Sequence, residues 1–156
     1  MKFPNNGFTI IEVMVSIMVL AVGIVGIYYI VPKLASISAI NTNRFIAAQL
    51  AREGLEIIKN LRDSNWLGEA DWNYGFLPCA SGCEIDYNDS SPAFFQNRFL
   101  RVGTNGFYNY QSGEATKFKR KITVTPGTDT LEVEVEVIWA GKYSPYTAKQ
   151  RLYNWR

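Results

Sequence analysis

Residues 7–31, GFTIIEVMVSIMVLAVGIVGIYYIV, decide the fold because they form an apolar stretch long enough to cross a bilayer. The 24 residues from Phe8 to Val31 carry one formal charge, that of Glu12, and roughly 20 apolar residues are enough for a transmembrane helix. A charged side chain within such a helix costs about 3 kcal/mol even on lenient insertion scales, so it is expected to have a partner. Glu12 is therefore the residue that needs an explanation.

The composition of the whole chain disfavours catalysis. Its 156 residues include no histidine, the commonest general base and metal ligand, so a Ser-His or Cys-His pair cannot be built. A hydrophobic content of 47% suits one folded domain, and a net charge of +2 gives little drive toward nucleic acid or anionic lipid. We therefore expect a protein that is not an enzyme and has no catalytic residue, cofactor or metal site.

The helical period continues beyond the apolar stretch. Two neighbouring rows of apolar residues predict two packing partners, one of them a sheet. A single helix from Phe8 to about Asn60 would be on the order of 80 Å long. Pro32 removes a backbone donor, and Gly23 and Gly26 lower helix propensity, so a bend or a loosened turn is expected near them. The rows are Leu34, Ile37, Phe45, Ala48, Ala51, Leu55 and Ile58, and Ile46, Leu50, Ile57 and Leu61.

The second half of the chain changes from helical periodicity to turns and strands. Between Ser64 and Ser91, Gly, Asn, Asp, Ser and Pro interleave with aromatic residues, a composition typical of a long ordered loop. Segments of alternating polarity then predict antiparallel hairpins and a last strand. The predicted strands are Phe99–Val102 and Phe107–Tyr110 around Asn105-Gly106, Ile122–Thr125 and Leu131–Trp139, and a final segment within Ser144–Trp155.

The partner of Glu12 must come from outside its own helix. The positions three and four residues away hold Phe8, Thr9, Val15 and Ser16, none of them basic. The residues GFTIIEVMVSI (7–17) resemble the N-terminal signature of type IV prepilins and type II secretion pseudopilins. That signature is a short basic leader ending in Gly, then Phe, and a Glu four residues after the Phe. AAQLAREGLEIIKNLRDSNW (47–66) and RLYNW (151–155) are also similar to the minor-pilin and pseudopilin branch.

The resemblance implies how the carboxylate is used. Prepilin peptidase would cut between Gly7 and Phe8 and methylate the new amino group of Phe8. The resulting cation stands at the start of the apolar helix, and Glu12 offers the opposite charge to the Phe8 amine of a neighbouring subunit. Such attraction is strongest where water is scarce and favours correct axial register. Glu12 is thus expected to be a docking group in a structural subunit of a type IV pilus or a type II secretion pseudopilus.

The predicted fold class is α+β and pilin-like, with a long N-terminal α-helix, membrane-spanning in its first half, packed on a small antiparallel β-sheet. The expected divisions are a leader at 1–7, the transmembrane and filament-core helix at 8–31, its amphipathic continuation at 32–62, and a globular sheet domain with a long loop at 63–156. In many family members a proline lies within the apolar helix, whereas Pro32 stands at its end.

The resemblance also implies partners and location. The partners would be other pilin or pseudopilin subunits, prepilin peptidase, an inner-membrane assembly platform, and membrane lipid before assembly. The chain would cross the inner membrane once with its C-terminal domain extracytoplasmic, and would then join a cell-surface or periplasm-spanning filament.

Cys79 and Cys83 bracket a three-residue loop, and in an exported domain an oxidised pair is the preferred interpretation. Two reduced thiols are the alternative. A zinc site is disfavoured because two cysteines without histidine supply half of the ligands that structural zinc requires. A disulfide across so short a loop is expected to stabilise by about 2 kcal/mol or less.

Two charged segments have simpler explanations than binding. EIDYNDSS (84–91) lacks the glycine and the acid that an EF-hand loop uses at its sixth and twelfth places, so it is interpreted as an acidic turn. KFKRK (117–121) resembles a nucleic-acid-binding strip, but the predicted partner strand presents three glutamates that would pair with it. Trp139 and Trp155 are expected to pack inward, and no nucleic acid is expected as a partner.

Two other functions stay open. The first is an uncleaved, membrane-anchored extracytoplasmic binding domain, in which Glu12 is a solvent-facing acid before an anchor at Val13–Val31. The second is an exported hydrolase behind a Sec signal, with a mature start near Ala39 after the small residues of LASISA (34–39). The apolar run exceeds the core of about 7–15 residues of such a signal.

Overall fold

A computed structural model describes residues 7–154. Within them, a long helix α1 at Ile10–Leu67 is followed by short and long antiparallel strands, which confirms the predicted α+β, pilin-like class. The chain divides into two compact units between Asn41 and Thr42, and α1 contributes residues to both. The predicted leader, apart from Gly7, and Trp155 lie outside the described residues.

The first unit consists of the N-terminal part of α1 and the residues before it. Every side chain from Gly7 to Ala39 is exposed to solvent in the isolated chain. The helix is continuous through Gly23, Gly26 and Pro32, although Pro32 supplies no N–H for a bond to the carbonyl one turn earlier. A bend at these three residues stays a prediction.

In the second unit, α1 buries one stripe of side chains against a sheet. The expectation that one apolar row covers the sheet while the other is free is wrong, since buried residues come from both rows and from between them. Small residues in the middle of the stripe let the helix approach closely: a Cβ added at Gly54 would lie 3.0 Å from Cγ1 of Val135. The stripe consists of Ala47, Leu50, Ala51, Gly54, Ile58, Arg62 and Trp66.

The strands form two antiparallel sheets. They are β1 Cys83–Glu84, β2 Ala93–Phe94, β3 Arg101–Val102, β4 Tyr108–Asn109, β5 Glu114–Ala115, β6 Lys119–Pro126, β7 Thr130–Ile138 and β8 Tyr146–Tyr153. The five-stranded sheet has the order β2-β1-β6-β7-β8 and the three-stranded sheet the order β4-β3-β5. The hairpins predicted around Asn105-Gly106 and between β6 and β7 are both confirmed, as is the last strand.

Along β6 and β7, buried side chains alternate with side chains on the opposite, more exposed face of the sheet. On β7 the residues Leu131, Val133, Val135 and Val137 are buried, and the glutamates between them face the other way. On β6 the buried set is Arg120, Ile122 and Val124, so an arginine occupies a core position. Its guanidinium donates to the carbonyl oxygens of Leu50, at 3.1 Å, and Ile85, at 2.7 Å. Arg120 also pairs with Glu53 at 3.3 Å, so it joins helix, sheet and loop.

The loop after the helix begins later than predicted. Helix α1 ends at Leu67 rather than near residue 62, and the loop that follows contains a 3-10 turn at Leu77–Ala80. Asn65, in the last turn of α1, donates from Nδ2 to the carbonyl oxygens of Trp72 and Tyr74 at 3.3 and 2.9 Å. These bonds anchor the predicted ordered loop to the helix end.

Candidate functional site

The first turn of α1 is organised by Thr9. The helix begins at Ile10, and the Thr9 hydroxyl oxygen accepts a hydrogen bond from the backbone N–H of Glu12 at 3.3 Å. The Thr9 carbonyl accepts from the N–H groups of Glu12 and Val13 at 3.1 and 3.2 Å. Threonine before the helix and glutamate three residues later is the sequence form of a capping box. The sequence predictions missed this role of Thr9, although the spacing T-x-x-E signals it.

The carboxylate of Glu12 stands in the first turn, where no described residue supplies a counter-ion. Its backbone is engaged at both ends, since the N–H bonds to Thr9 and the carbonyl accepts from the Ser16 hydroxyl at 2.8 Å. Among residues 7–154, however, no basic group lies within ion-pair distance of the Glu12 carboxylate. The positive end of the helix dipole favours an acid at this place by about 0.3–1 kcal/mol. That is less than the cost of placing the charge in a membrane.

Gly7 and Phe8 immediately precede the capped turn, so the predicted cleavage site and Glu12 lie within a few residues of each other. A Cβ added at Gly7 would meet nothing within 4 Å, and the side chain of Phe8 is 82% exposed. The packing of residues 7–154 therefore does not require glycine at position 7. The predicted cleavage, methylation and docking roles of these residues stay predictions.

The two glycines in the apolar part of α1 are similarly unconstrained. A Cβ added at Gly23 or Gly26 would meet nothing within 4 Å. Each glycine costs the helix about 1 kcal/mol relative to alanine. No close contact with the described residues at Gly23 or Gly26 offsets that cost. The helix as a whole passes the length and apolarity test for a membrane span, and it is the one helix among the described residues that does.

The other predicted site residues lie in the second unit. Cys79 and Cys83 form a disulfide and are both buried, so the oxidised interpretation is confirmed. In the segment read as an acidic turn, Asp86 is buried and accepts from the backbone N–H of Tyr110 at 3.1 Å, which gives this acid a structural role. Within residues 7–154 no group of three or more His, Cys, Asp or Glu side chains is placed to hold a metal.

The basic segment KFKRK does not pair with the glutamates of β7, so that prediction is wrong. Glu134 pairs with Lys149 at 2.7 Å and Glu132 pairs with Arg151, both partners on β8. Arg120 points into the core. Trp139 is buried, as expected. Among residues 7–154, the lysines of the segment therefore form no ion pair with the β7 glutamates.

Comparison with known proteins identifies the N-terminal segment. Residues 2–28 match the family profile of the prokaryotic N-terminal methylation motif, which is the type IV prepilin-like signature. The match supports a type IV pilin-like precursor and covers the first turn, Glu12 and both glycines of the apolar helix. No curated protein and no solved structure matches the chain.

Proposed function

We propose that this chain, which carries the type IV prepilin-like signature, is a minor pilin or pseudopilin: a structural subunit that is cleaved, methylated and assembled into a filament. The observation that carries the proposal is the carboxylate of Glu12, which has no ion-pair partner among residues 7–154 and stands in the first turn of a helix whose residues 10–39 are all exposed. Such a helix needs lipid or other helices around it, and the acid needs a cation.

Cleavage after Gly7 supplies that cation. It removes residues 1–7 and leaves the amino group of Phe8 at the start of the helix, where methylation keeps its positive charge. A Glu12 carboxylate of one subunit then pairs with the Phe8 amine of another. In a dry filament core the attraction exceeds its value in water several-fold, and an unpaired charge there is costly. The pair therefore selects the axial register in which both charges are satisfied.

Before assembly the same helix would lie in the inner membrane. Tyr28 and Tyr29, 78% and 74% exposed, with Lys33 one turn further on, form the kind of aromatic and basic boundary that marks a membrane interface. Tyr29 stands 17 residues after Glu12, about 26 Å along a helix, against a hydrocarbon thickness of about 30 Å. Glu12 would then lie near the opposite edge of the apolar layer, close to where the peptidase frees the Phe8 amine.

The exposed glycines fit a helix that packs against neighbours. Gly23 and Gly26 are three positions apart and so share a face of α1. Small residues on one face let helices approach closely in an apolar medium, where packing and polar pairing drive association. The same residues, with Pro32, are candidates for a bend on assembly.

The disulfide supports an extracytoplasmic C-terminal domain, because such bonds persist in oxidising compartments. The proposed divisions are the leader at 1–7, the filament-core helix at 8–31, its continuation from 32 and the sheet domain. The proposed partners are related subunits, prepilin peptidase and the inner-membrane assembly platform. Whichever filament the subunit joins, it performs no chemistry of its own.

The mass of the intact protein purified from membranes tests the proposal. The expected mature chain lacks residues 1–7 and carries one added methyl group, and a Gly7→Ala variant accumulates the uncleaved precursor. Gly23→Ala is the matched control, because it is the same change at a position where an added Cβ also meets nothing within 4 Å. It should be processed normally.

Two other results would refute the proposal. An intact Met1 in membrane-extracted wild-type protein indicates the uncleaved anchored domain. A mature start near Ala39 indicates a Sec-type signal and an exported protein without the apolar helix.

A further inference from the structure

The second unit contains an open groove beside the start of β6, which we call the basic groove. Its volume is about 630 Å³. Its lining is largely apolar and includes Phe99, Ile138 and the buried Trp139, together with two lysines. The residues that matter below are Asn97, Phe99, Lys117, Lys119, Ile138 and Trp139.

The lysines of the basic groove are not neutralised by this chain. Within residues 7–154, Lys117, Lys119 and the neighbouring Lys121 form no ion pair. Lys121 stands opposite Glu136 in the β6–β7 register without an ion pair between them. The two other glutamates of β7, Glu132 and Glu134, pair with Arg151 and Lys149 of β8. Three lysines without an ion pair among the described residues therefore stand at alternate positions of one segment, in a chain of net charge +2.

Contacts within the fold hold these lysines in place. The Nζ of Lys119 donates to Oδ1 of Asn97 at 3.1 Å and lies 4.5 Å from the centre of the Phe99 ring. Lys121 lies 5.8 Å from the ring centre of Phe95, and Lys117 5.8 Å from that of Phe118. An ammonium held in this way loses less side-chain freedom when it meets an anion.

We propose that the basic groove binds an acidic, partly apolar peptide segment of another subunit. This proposal rests on the proposed function, since it supplies a contact between the globular parts of assembled subunits. Acidic side chains would pair with Lys117 and Lys119, and an apolar side chain two residues away, on the same face of the segment, would cover Phe99 and Ile138. An extended segment places every second side chain on one face, at about 6.8 Å.

An acidic peptide fits this surface better than a single-stranded nucleic acid. Nucleic-acid grooves combine cations with free aromatic faces on which bases stack. Here the rings of Phe95, Phe99 and Phe118 each have a lysine at 4.5–5.8 Å from the ring centre, and Trp139 is buried and packs against Phe118. The surface offers charge and apolar contact but few free stacking faces.

Fluorescence anisotropy with the full-length protein in detergent micelles tests the proposal. The probe is a fluorescein-labelled nonapeptide in which glutamate and valine occupy alternate odd positions, on one face, with serine at the even positions; empty micelles are the blank, and the ionic strength is low. Wild type is expected to bind it, and the double variant Lys117→Glu/Lys119→Glu to bind about tenfold more weakly or worse. Lys142→Glu reverses another exposed lysine that has no ion pair among the described residues, and should bind like wild type.

Three outcomes would overturn the proposal: no binding by wild type, an equal loss in the Lys142→Glu control, or tighter binding of a nine-nucleotide oligo(dT) than of the peptide. The neutral variant Lys117→Gln/Lys119→Gln is measured as well. Thermal unfolding of every variant shows whether a variant that binds weakly is still folded. Mature mass is measured on the same samples. Normal processing with no peptide binding refutes the groove proposal alone, whereas an uncleaved chain that binds the peptide refutes the subunit proposal alone.

Discussion

Gly54→Ala tests the helix-to-sheet packing, because the added methyl group has no free space. Its Cβ would lie 3.0 Å from Cγ1 of Val135, 3.2 Å from Cδ of Arg120 and 3.3 Å from Cδ1 of Ile122. All three neighbours are fully buried, so none can move aside without disturbing the core. Alanine gains about 1 kcal/mol in helix propensity, while overpacking costs typically about 1–3 kcal/mol, and the upper part of that range, about 2–3 kcal/mol, applies where the added carbon meets three fully buried neighbours. We expect a net loss of about 1–2 kcal/mol, or roughly 4–8 °C in Tm.

The matched control is Gly23→Ala, the same change in the same helix at a position where the Cβ meets nothing. Thermal unfolding of the full-length proteins in detergent, followed by near-UV circular dichroism of the buried aromatic residues, compares the two variants. The control should leave the Tm of the sheet unit unchanged. A Gly54→Ala variant that unfolds at or above the wild-type temperature would refute the close packing of α1 on β6 and β7.

Three other perturbations have expected outcomes. Glu12→Ala should be cleaved after Gly7 like wild type but should be lost from filaments, as measured by immunoblotting of sheared filament and membrane fractions; incorporation at the wild-type level would contradict the docking role. Burial raises the pKa of Tyr110 to about 12, against 10.0 for a free tyrosine. The unfolded chain therefore releases this proton first, so stability should fall between about pH 10 and 12 by up to roughly 2 kcal/mol; Tyr110→Phe should flatten that slope in urea titrations, and an unchanged slope would place the cause elsewhere. Reduction of the Cys79–Cys83 disulfide should lower the unfolding free energy of wild type by about 2 kcal/mol or less, and should leave a Cys79→Ala/Cys83→Ala variant unaffected; equal sensitivity in both would mean that the reductant acts by another route.

The parts of the fold that follow a simple period could be predicted from the sequence. Apolar residues at steps of three and four predicted α1, and strict alternation predicted β6 and β7, because burial of one face imposes those periods. The short strands β1, β2 and β5 were not predicted. They have two residues each, too few for a period, and they depend on partners far away in the chain.

Arg120 shows what a composition-based interpretation overlooks. The run KFKRK was interpreted as pairing with the glutamates of its partner strand, yet strand alternation places Arg120 in phase with the buried Ile122 and Val124. The signal was present in the sequence. The sequence did not show how the buried charge of Arg120 is stabilised, because the carbonyl groups of Leu50 and Ile85 and the carboxylate of Glu53 come from distant segments.

The candidate site was predictable in its residues but not in its local geometry. Glu12 stood out because a carboxylate in an apolar helix is costly. The cap by Thr9 was missed because the residues three and four positions from Glu12 were considered only as partners for its charge, and not as part of the T-x-x-E spacing of a capping box. The end of α1 was also placed too early, since Ser64 and Asn65 are residues typical of turns, yet they lie in the last turns of the helix and Asn65 bonds to the loop carbonyls.

A density map of the assembled filament at side-chain resolution tests the central claim most directly, through the distance from each Phe8 nitrogen to the nearest Glu12 carboxylate of another subunit. The account predicts a mature chain that begins at Phe8, with this distance at about 4 Å or less, as for an ion pair. A Glu12 carboxylate surrounded only by apolar side chains, or a chain that retains residues 1–7, would contradict it.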